Sequence, residues 1–298
     1  MTKTIILQRW GALGDVLNTT PVLRRLRKEN PDAFIDVVTA KLAAYRDNPD
    51  LTSLCPARPS PYYDQSVILD MAYERNRKVN QVDAFMMEAF GDTGGDKTLF
   101  LAHDTAPPPR LPALPWSSVV VMHPNRSWEQ RTFAPEWWQA IADKLVLLGF
   151  IVVVTGTSID STIKGRRIID TRDKLSLAEQ ASLIENAACA LCGPSGIANL
   201  VACTETPLVL ICNITRAAYT LNHRHGELGW NSFVVKTPLE CYGCAADEPP
   251  SEFFKCRRGD NACLTSIPVA DVVASVEEAI MNDARHFLSY RSSSYEGF

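Results

Sequence analysis

The sequence predicts an α/β protein of two doubly wound domains, each a parallel sheet covered by helices. Three observations lead there. Short apolar, β-branched runs alternate with segments of helical spacing along most of the chain. The alternation stops once, in the five-proline stretch "HDTAPPPRLPALPW" (103–116), and then restarts. The chain has 298 residues, room for two domains at about 100–200 residues each.

The elements follow in order. "TIILQ" (4–8) reads as a strand, and the helix after it ends near "RRLRKEN" (24–30). Pro21 opens the regular part of that helix, with Thr19 or Thr20 as its cap, because proline suits a first turn whose N–H groups have no partner. "AFIDVVT" (33–39), "SVILD" (66–70) and "TLFLA" (98–102) read as strands, and "KVNQVDAFMMEAFG" (78–91) as a helix. Proline-dense chain is stiff and extended and favours boundaries, so residues 1–106 form the first domain, 107–116 a linker and 117–298 the second domain. There "SVVVM" (118–122) is a strand and "PEWWQAIADKLVLLG" (135–149) a helix that starts on proline and stops on glycine. "FIVVVTG" (150–156) is nearly all apolar, as a strand covered on both faces must be. "SLAEQASLIENA" (176–187) opens with a capping box, Ser176 and Glu179. The strand "CALC" (189–192), a helix from about Ser195, the strand "PLVLIC" (207–212) and a helix over 268–286 complete the pattern.

Composition narrows the function. The chain is 46% hydrophobic and 21% charged with a net charge of −4, an ordinary globular balance that disfavours coating nucleic acid without excluding it. No run approaches the roughly 18 apolar residues of a membrane span, and the N-terminus lacks the form of a secretion signal. A cytoplasmic location is therefore expected, with peripheral membrane contact left open. Nine cysteines in a reducing compartment need an explanation other than a disulfide framework.

The segment "RWGALGD" (9–15) falls at the carboxyl end of the first strand, where open parallel sheets bind ligands. Gly11 and Gly14 can adopt positive φ and let a ligand approach the backbone. Asp15 would repel phosphate there. It is either an N-terminal helix cap or faces another partner, such as a hydroxyl awaiting deprotonation. The spacing G-x-x-G is not the dinucleotide fingerprint, which argues against a nicotinamide enzyme. In the second half, "HPNRSWEQR" (123–131) follows a strand end. Asn125, Arg126, Ser127 and Arg131 can supply donors to a leaving diphosphate, or the arginines are solvated loop charges. "TGTS" (155–158), with Gly156, is a weaker lining for a nucleotide. In "GPSGIAN" (193–199), Ser195 and Gly196 open a helix whose small residues admit a diphosphate, or are merely its cap.

Taken together, "RWGALGDVLNTTPVLRRLR", "HPNRSWEQRTFAPEWWQAIADKL", "VVVTG" and "GPSGIANLVACTETPLVLI" resemble, in order and spacing, glycosyltransferase family 9, the ADP-heptose:lipopolysaccharide heptosyltransferases. The resemblance spans most of residues 3–290. It implies a GT-B fold, two Rossmann-like domains with an interdomain cleft, and inversion at the anomeric carbon with no catalytic metal. It implies donor binding mainly by the second domain and acceptor binding mainly by the first. Asp15 falls on the family's catalytic aspartate, with Gly14 beside it. Arg131 aligns with a phosphate-contacting lysine. Pro194 replaces the family's aspartate and Asn199 its histidine. Asn199 can still donate and accept, yet cannot titrate near neutrality. The implied partners are a nucleotide-sugar donor, ADP-heptose or a relative, and a hydroxyl acceptor on a glycan, a protein or a modified base. The alternative is a binding or scaffold protein on the same fold.

Cys241-x2-Cys244-x11-Cys256-x6-Cys263 is the second sharp feature. Four thiolates so spaced suit one structural zinc or iron ion, with free thiols or disulfides as the alternative. Lys255, Arg257 and Arg258 would offset the thiolate charge. Some family members that glycosylate autotransporter proteins carry an iron-binding four-cysteine finger in this region, which this insert (241–263) resembles. Cys189, Cys192, Cys203 and Cys212 read as core residues. Cys55 is uninformative, and His223 and His225 read as loop residues.

Overall fold

The computed structural model of the chain describes residues 2–60, 62–75, 77–125, 128–247 and 255–283. Its strands and helices, in chain order, are β1 (Thr4–Gln8), α1 (Leu13–Leu17), α2 (Thr20–Glu29), β2 (Phe34–Val38), β3 (Ser53–Cys55), β4 (Gln65–Ile68), α3 (Ala72–Arg75) and α4 (Gln81–Phe90). Then come β5 (Val119–His123), α5 (Pro135–Leu147), β6 (Ile151–Val154), β7 (Ile168–Asp170), α6 (Leu177–Asn186), β8 (Cys189–Cys192), α7 (Gly196–Val201) and β9 (Leu208–Cys212). The chain continues through α8 (Ala217–Thr220), β10 (His223–Arg224), β11 (Glu227–Leu228), β12 (Ser232–Lys236) and α9 (Val269–Met281). Among the described residues no helix is long and apolar enough to cross a membrane.

Contacts divide the chain into two compact units. One holds the described residues of Met1–His103 with Ala218–Trp230, the other those of Asp104–Ala217 with Asn231–Phe298. The first unit carries a four-stranded sheet in the order β3-β2-β1-β4, with every pairing parallel. β1 is buried at Ile5, Ile6 and Leu7, and the register sets Ile5 beside Ile35 and Leu7 beside Val37. Helix α2 turns Val22, Leu23 and Leu26 inward while its arginines reach outward. Thr19 is its N-cap, but the side chain caps nothing: its Oγ1 donates to the Val16 carbonyl 2.7 Å away.

The second unit carries six parallel strands in the order β12-β9-β8-β5-β6-β7. Counted within the unit from β5, this is the doubly wound dinucleotide-fold order, which reverses between β5 and β8. β5 and β9 are buried along their whole length, as the unbroken apolar runs require. Helix α5 starts at Pro135, buries Trp138, Ile141, Ala142 and Leu145, and is followed by Gly149 at φ +100°. The Ser176 box forms as its spacing predicts: Glu179 N–H donates to Ser176 Oγ at 3.2 Å, and Ser176 N–H to Glu179 Oε2 at 2.8 Å.

Three expectations change. "TLFLA" forms no strand: Thr98 makes one isolated bridge to His223, and Phe100 N–H donates to Thr20 Oγ1 instead of a ladder. The short strands β3, β7 and β12 lacked the length or alternation to stand out in sequence. Residues 218–230, expected in the second domain, group with the first unit. Asn80 causes this, since its amide donates to the carbonyls of Leu221 at 2.7 Å and Ala218 at 3.2 Å. Trp138 is fully buried at the edges of Phe133 and Trp137. Trp138→Ala is expected to destabilise the second unit by about 3–5 kcal/mol, measured by urea unfolding.

Candidate active site

In the first unit the strand order reverses between β1 and β4, and the chain leaving β1 is the glycine turn. Arg9 anchors it. This guanidinium is 3% exposed; it donates to the Leu69 carbonyl and grips Glu74 with two hydrogen bonds, at 2.6 and 3.2 Å. Burial is the largest single influence on Glu74 and opposes its ionisation, but the Arg9 hydrogen bond, a backbone N–H and the nearby guanidinium charge together outweigh it and hold the carboxyl below its usual range. Asp70 at the end of β4 accepts from Trp10 N–H at 2.7 Å and from Gln8 Nε2 at 2.8 Å, which fixes the other side of the turn.

Asp15 then has one place to be. Its Oδ2 accepts from Ala12 N–H at 2.9 Å and lies 3.7 Å from Arg9; its Oδ1 accepts from Gln81 Nε2 at 2.7 Å. The bond to Ala12 is a helix-cap interaction, so the cap reading of Asp15 is physically correct as far as it goes. The side chain nevertheless remains 29% exposed, within reach of a ligand. Gly11 makes room for it. At φ +146° the backbone suits only glycine, and a Cβ there would come within 2.7 Å of Asp15 Oδ2. Gly14, expected to share that freedom, is instead a buried residue inside α1 and is absent from the positive-φ residues. Sequence reasoning missed Gln81, Arg9 and Glu74. Arg9 lies in the turn segment itself, and the fold brings Glu74 and Gln81 to it from other parts of the chain.

In the second unit the corresponding reversal gathers the donor-side residues. His123 ends β5, is 8% exposed, and lies between two partners. Its Nδ1 is 3.1 Å from Ser195 Oγ and its Nε2 is 3.3 Å from Asp160 Oδ2. The same carboxylate oxygen accepts from Thr157 N–H at 2.8 Å. Gly156, at φ +121°, leaves the space these groups occupy: a Cβ would lie 2.7 Å from His123 Cδ2 and closer still to Asp160 Oδ2. Asn125 is 2% exposed, and its Nδ2 has no hydrogen-bond partner among the described residues. Its Oδ1 lies 2.8 Å from where a Cβ on Gly193 would stand. Arg131 stacks on Trp128 at 3.7 Å and donates to the Pro194 carbonyl at 2.8 Å. Asn199 is buried and donates to the Ser195 carbonyl at 3.2 Å, and Gly196 is the first residue of α7. Asn125, Arg131, Gly156, Ser195, Gly196 and Asn199 thus share one end of one sheet, whereas Asp15 and Gly14 belong to the other unit. Arg126 and Ser127 lie outside the described residues. His123, which opens the "HPNRSWEQR" segment without having been given a role, and Asp160, unmarked by any motif, were the omissions here.

The four spaced cysteines, Cys241, Cys244, Cys256 and Cys263, line one cavity of about 20 Å³ with Lys255 and Arg258. That is room for one water-sized body. Burial pushes the Cys263 thiol up to about 11 and raises Cys244, and the neighbouring cysteines reinforce both. Even so, no three metal-ligating side chains are set to hold an ion among the described residues, so the expected metal finger is not shown as a formed centre. The insert also has a small core of its own, in which Ile214, Ala245 and Cys263 pack with Trp128 and Leu239. Its residues 248–254 lie outside those described. The other cysteines behave mostly as core: Cys189, Cys192 and Cys212 are buried, and burial raises the Cys212 thiol to about 12. Cys203 is only partly buried.

No protein-family model and no curated protein matches the chain. Solved structures do. A family 9 glycosyl transferase from Veillonella parvula superposes with a TM-score of 0.70 at 15% identity, over 94% of this chain and 97% of the other. The iron-containing dodecameric glycosyltransferase TibC of enterotoxigenic E. coli gives 0.69 at 18% identity, over 96% of this chain and 77% of that one. The E. coli ADP-heptose lipopolysaccharide heptosyltransferase II gives 0.65 at 13%, over 94% and 99%. At these identities the likeness is one of fold: the chain has the α/β fold of these glycosyltransferases.

Gly11→Ala should force Asp15 from its place at a cost of about 1–3 kcal/mol, because strained φ and collision act together. Urea unfolding of this variant against the wild type measures it, and Gly149→Ala, whose Cβ meets nothing within 4 Å, separates φ strain from collision.

Proposed function

We propose that the protein is an inverting glycosyltransferase that moves a sugar, heptose or a close relative, from a nucleotide diphosphate to an acceptor hydroxyl, with Asp15 as general base. The supporting observation is the disposition of Asp15. Its carboxylate is oriented from both oxygens, yet partly open, at the strand-order reversal of its sheet. A base needs this combination: orientation fixed in advance, and access for the hydroxyl whose proton it takes. As the acceptor oxygen attacks the anomeric carbon, its proton passes to Asp15. The bond to the diphosphate breaks on the opposite face, which inverts the centre.

The leaving diphosphate gains negative charge as that bond breaks. In this reading Arg131, Asn125 and Ser195 meet it, and no catalytic metal is required. The unpartnered, buried Nδ2 of Asn125 supports this, since an amide N–H withheld from water costs about 1–3 kcal/mol unless a ligand accepts from it. Solved structures of the same fold include the E. coli heptosyltransferase WaaC with ADP, which favours an ADP-linked donor. The acceptor is a hydroxyl on a lipopolysaccharide core sugar, a protein or a modified base, and a cytoplasmic location belongs to the same reading.

The cysteine insert fits one zinc or iron ion by its donor set and by the size of the cavity the four side chains line. A divalent ion would turn the mutual repulsion of the thiolates into attraction and staple the insert. The insert adjoins the donor loop: Asn213 Nδ2 donates to the Gln130 carbonyl at 2.6 Å and lies 3.6 Å from Cys263 Sγ. The iron-containing relative in fold favours iron.

One observation favours a second reading, a non-catalytic scaffold. Both oxygens of Asp15 already have partners, as a purely structural cap would. Asp15→Asn separates the two. It keeps an oxygen for Ala12 N–H but removes the base, so kcat is expected to fall by about 10²–10⁴ with donor affinity retained. Unchanged turnover would exclude Asp15 as the base. Donor left unconsumed by the wild type across a panel of nucleotide sugars and acceptors would favour the scaffold. Elemental analysis of purified protein should find about one iron or zinc ion per chain, reduced in Cys241→Ser/Cys256→Ser, and chelation should lower Tm by several degrees.

A further inference from the structure

The arrangement around His123 performs more than packing. We propose that His123 is a positioning residue that turns the Ser195 hydroxyl into a donor toward the diphosphate, and that it takes up a proton when the diphosphate binds. The proposal rests on the reading of Ser195 as a diphosphate ligand given above.

The geometry fixes the hydrogen-bond directions. Nε2 faces the Asp160 carboxylate at 3.3 Å, so its proton is held there. Nδ1 faces Ser195 Oγ at 3.1 Å and can act in two ways. In the neutral imidazole Nδ1 is an acceptor. The Ser195 proton then points inward, and only lone pairs face outward, the wrong polarity for phosphate. In the imidazolium Nδ1–H donates to Ser195 Oγ, and the hydroxyl proton is released to donate to a phosphate oxygen. The change is one proton gained from solvent at Nδ1 and one rotation of the serine O–H. No covalent bond between heavy atoms changes.

The surroundings are consistent with this. His123 is held from two directions, by Asp160 on the β6–β7 connection and by Ser195 after β8; Cys192, its register partner at the end of β8, brings its thiol to the Ser195 hydroxyl. Burial raises the Cys192 thiol, so it stays neutral and brings no competing charge. Behind Asp160, Arg172 donates to its backbone carbonyl at 2.6 Å, while that guanidinium's carboxylate partner is Asp170 at 2.7 Å. Arg131 reaches the same turn, donating to the Pro194 carbonyl. Asp160 Oδ2 also accepts from Thr157 N–H, and Gly156 leaves no side chain between carboxylate and ring. An arriving diphosphate adds negative charge beyond Ser195, and the field favours the imidazolium.

Proton-linked binding tests this. ADP, with UDP and GDP as alternatives, is titrated calorimetrically into the full chain in buffers of different ionisation enthalpy from pH 6 to 9. The wild type should take up a fraction of a proton, at most about one per nucleotide, over an intermediate pH window, with affinity weakening by up to about tenfold per pH unit inside that window and the uptake falling away on either side of it. His123→Gln can donate an amide N–H to Ser195 at every pH, so it should bind with that uptake abolished. Subtracting it removes the nucleotide's own phosphate titration. Ser195→Ala, at a partly exposed position, should bind about tenfold more weakly with the uptake largely lost. Binding with equal proton uptake in wild type and His123→Gln would overturn the relay while leaving the transferase reading standing. Failure of every nucleoside diphosphate to bind would overturn both.

Discussion

The functional geometry of this protein depends on two places where the backbone carries no side chain. At Gly11 a Cβ would run into Asp15, and at Gly156 it would run into His123 and Asp160. Both residues hold positive φ just after a strand, at the end of a parallel sheet. A glycine turn in such a place is usually read as an opening for phosphate against the backbone. Here each glycine first makes room for the protein's own polar groups, which are then pinned by neighbours. The consequence is preorganisation. A carboxylate or imidazole that cannot swing away need not be ordered again when a ligand arrives.

Both units solve the same problem by the same means. A buried strand ends, its successor enters the sheet on the other side, and the two connections diverge. The crevice so formed is the general binding place of open α/β sheets. What differs is the chemistry brought to it. The first unit supplies carboxylates held by an arginine: Glu74 and Asp15 around Arg9. The second supplies donors: Asn125, Arg131 and the His123–Ser195 pair. An acid-rich cluster suits an acceptor that must lose a proton, and a donor-rich cluster suits a leaving group that must gain charge.

The cysteine insert meets this plan through Trp128, which packs on its small core, and through a polar side chain. Asn213, after β9, joins the donor loop at Gln130 to Cys263. Gln130 Oε1 and Asn261 Oδ1, on residues that line the same cavity, are buried without hydrogen-bond partners among the described residues.

The local rules were legible in the sequence because they act over a few residues. The Ser176–Glu179 box, the proline start of α5, the glycine after it and the unbroken apolar runs of β5 and β9 need only neighbours, and they formed as read. The four-cysteine spacing was read as a metal site; the four residues line one cavity, but no formed ligand cluster is shown among the described residues. "TLFLA" misled because its apolar character says nothing about whether a strand edge is vacant to receive it. What only the tertiary structure decided are partnerships across distant chain: Gln81 on Asp15, Glu74 on Arg9, Asp160 and Ser195 on either side of His123. No spacing rule could supply them. Strand order and register set which side chains meet, and both are fixed by burial of the whole sheet, a property that no short window of sequence contains.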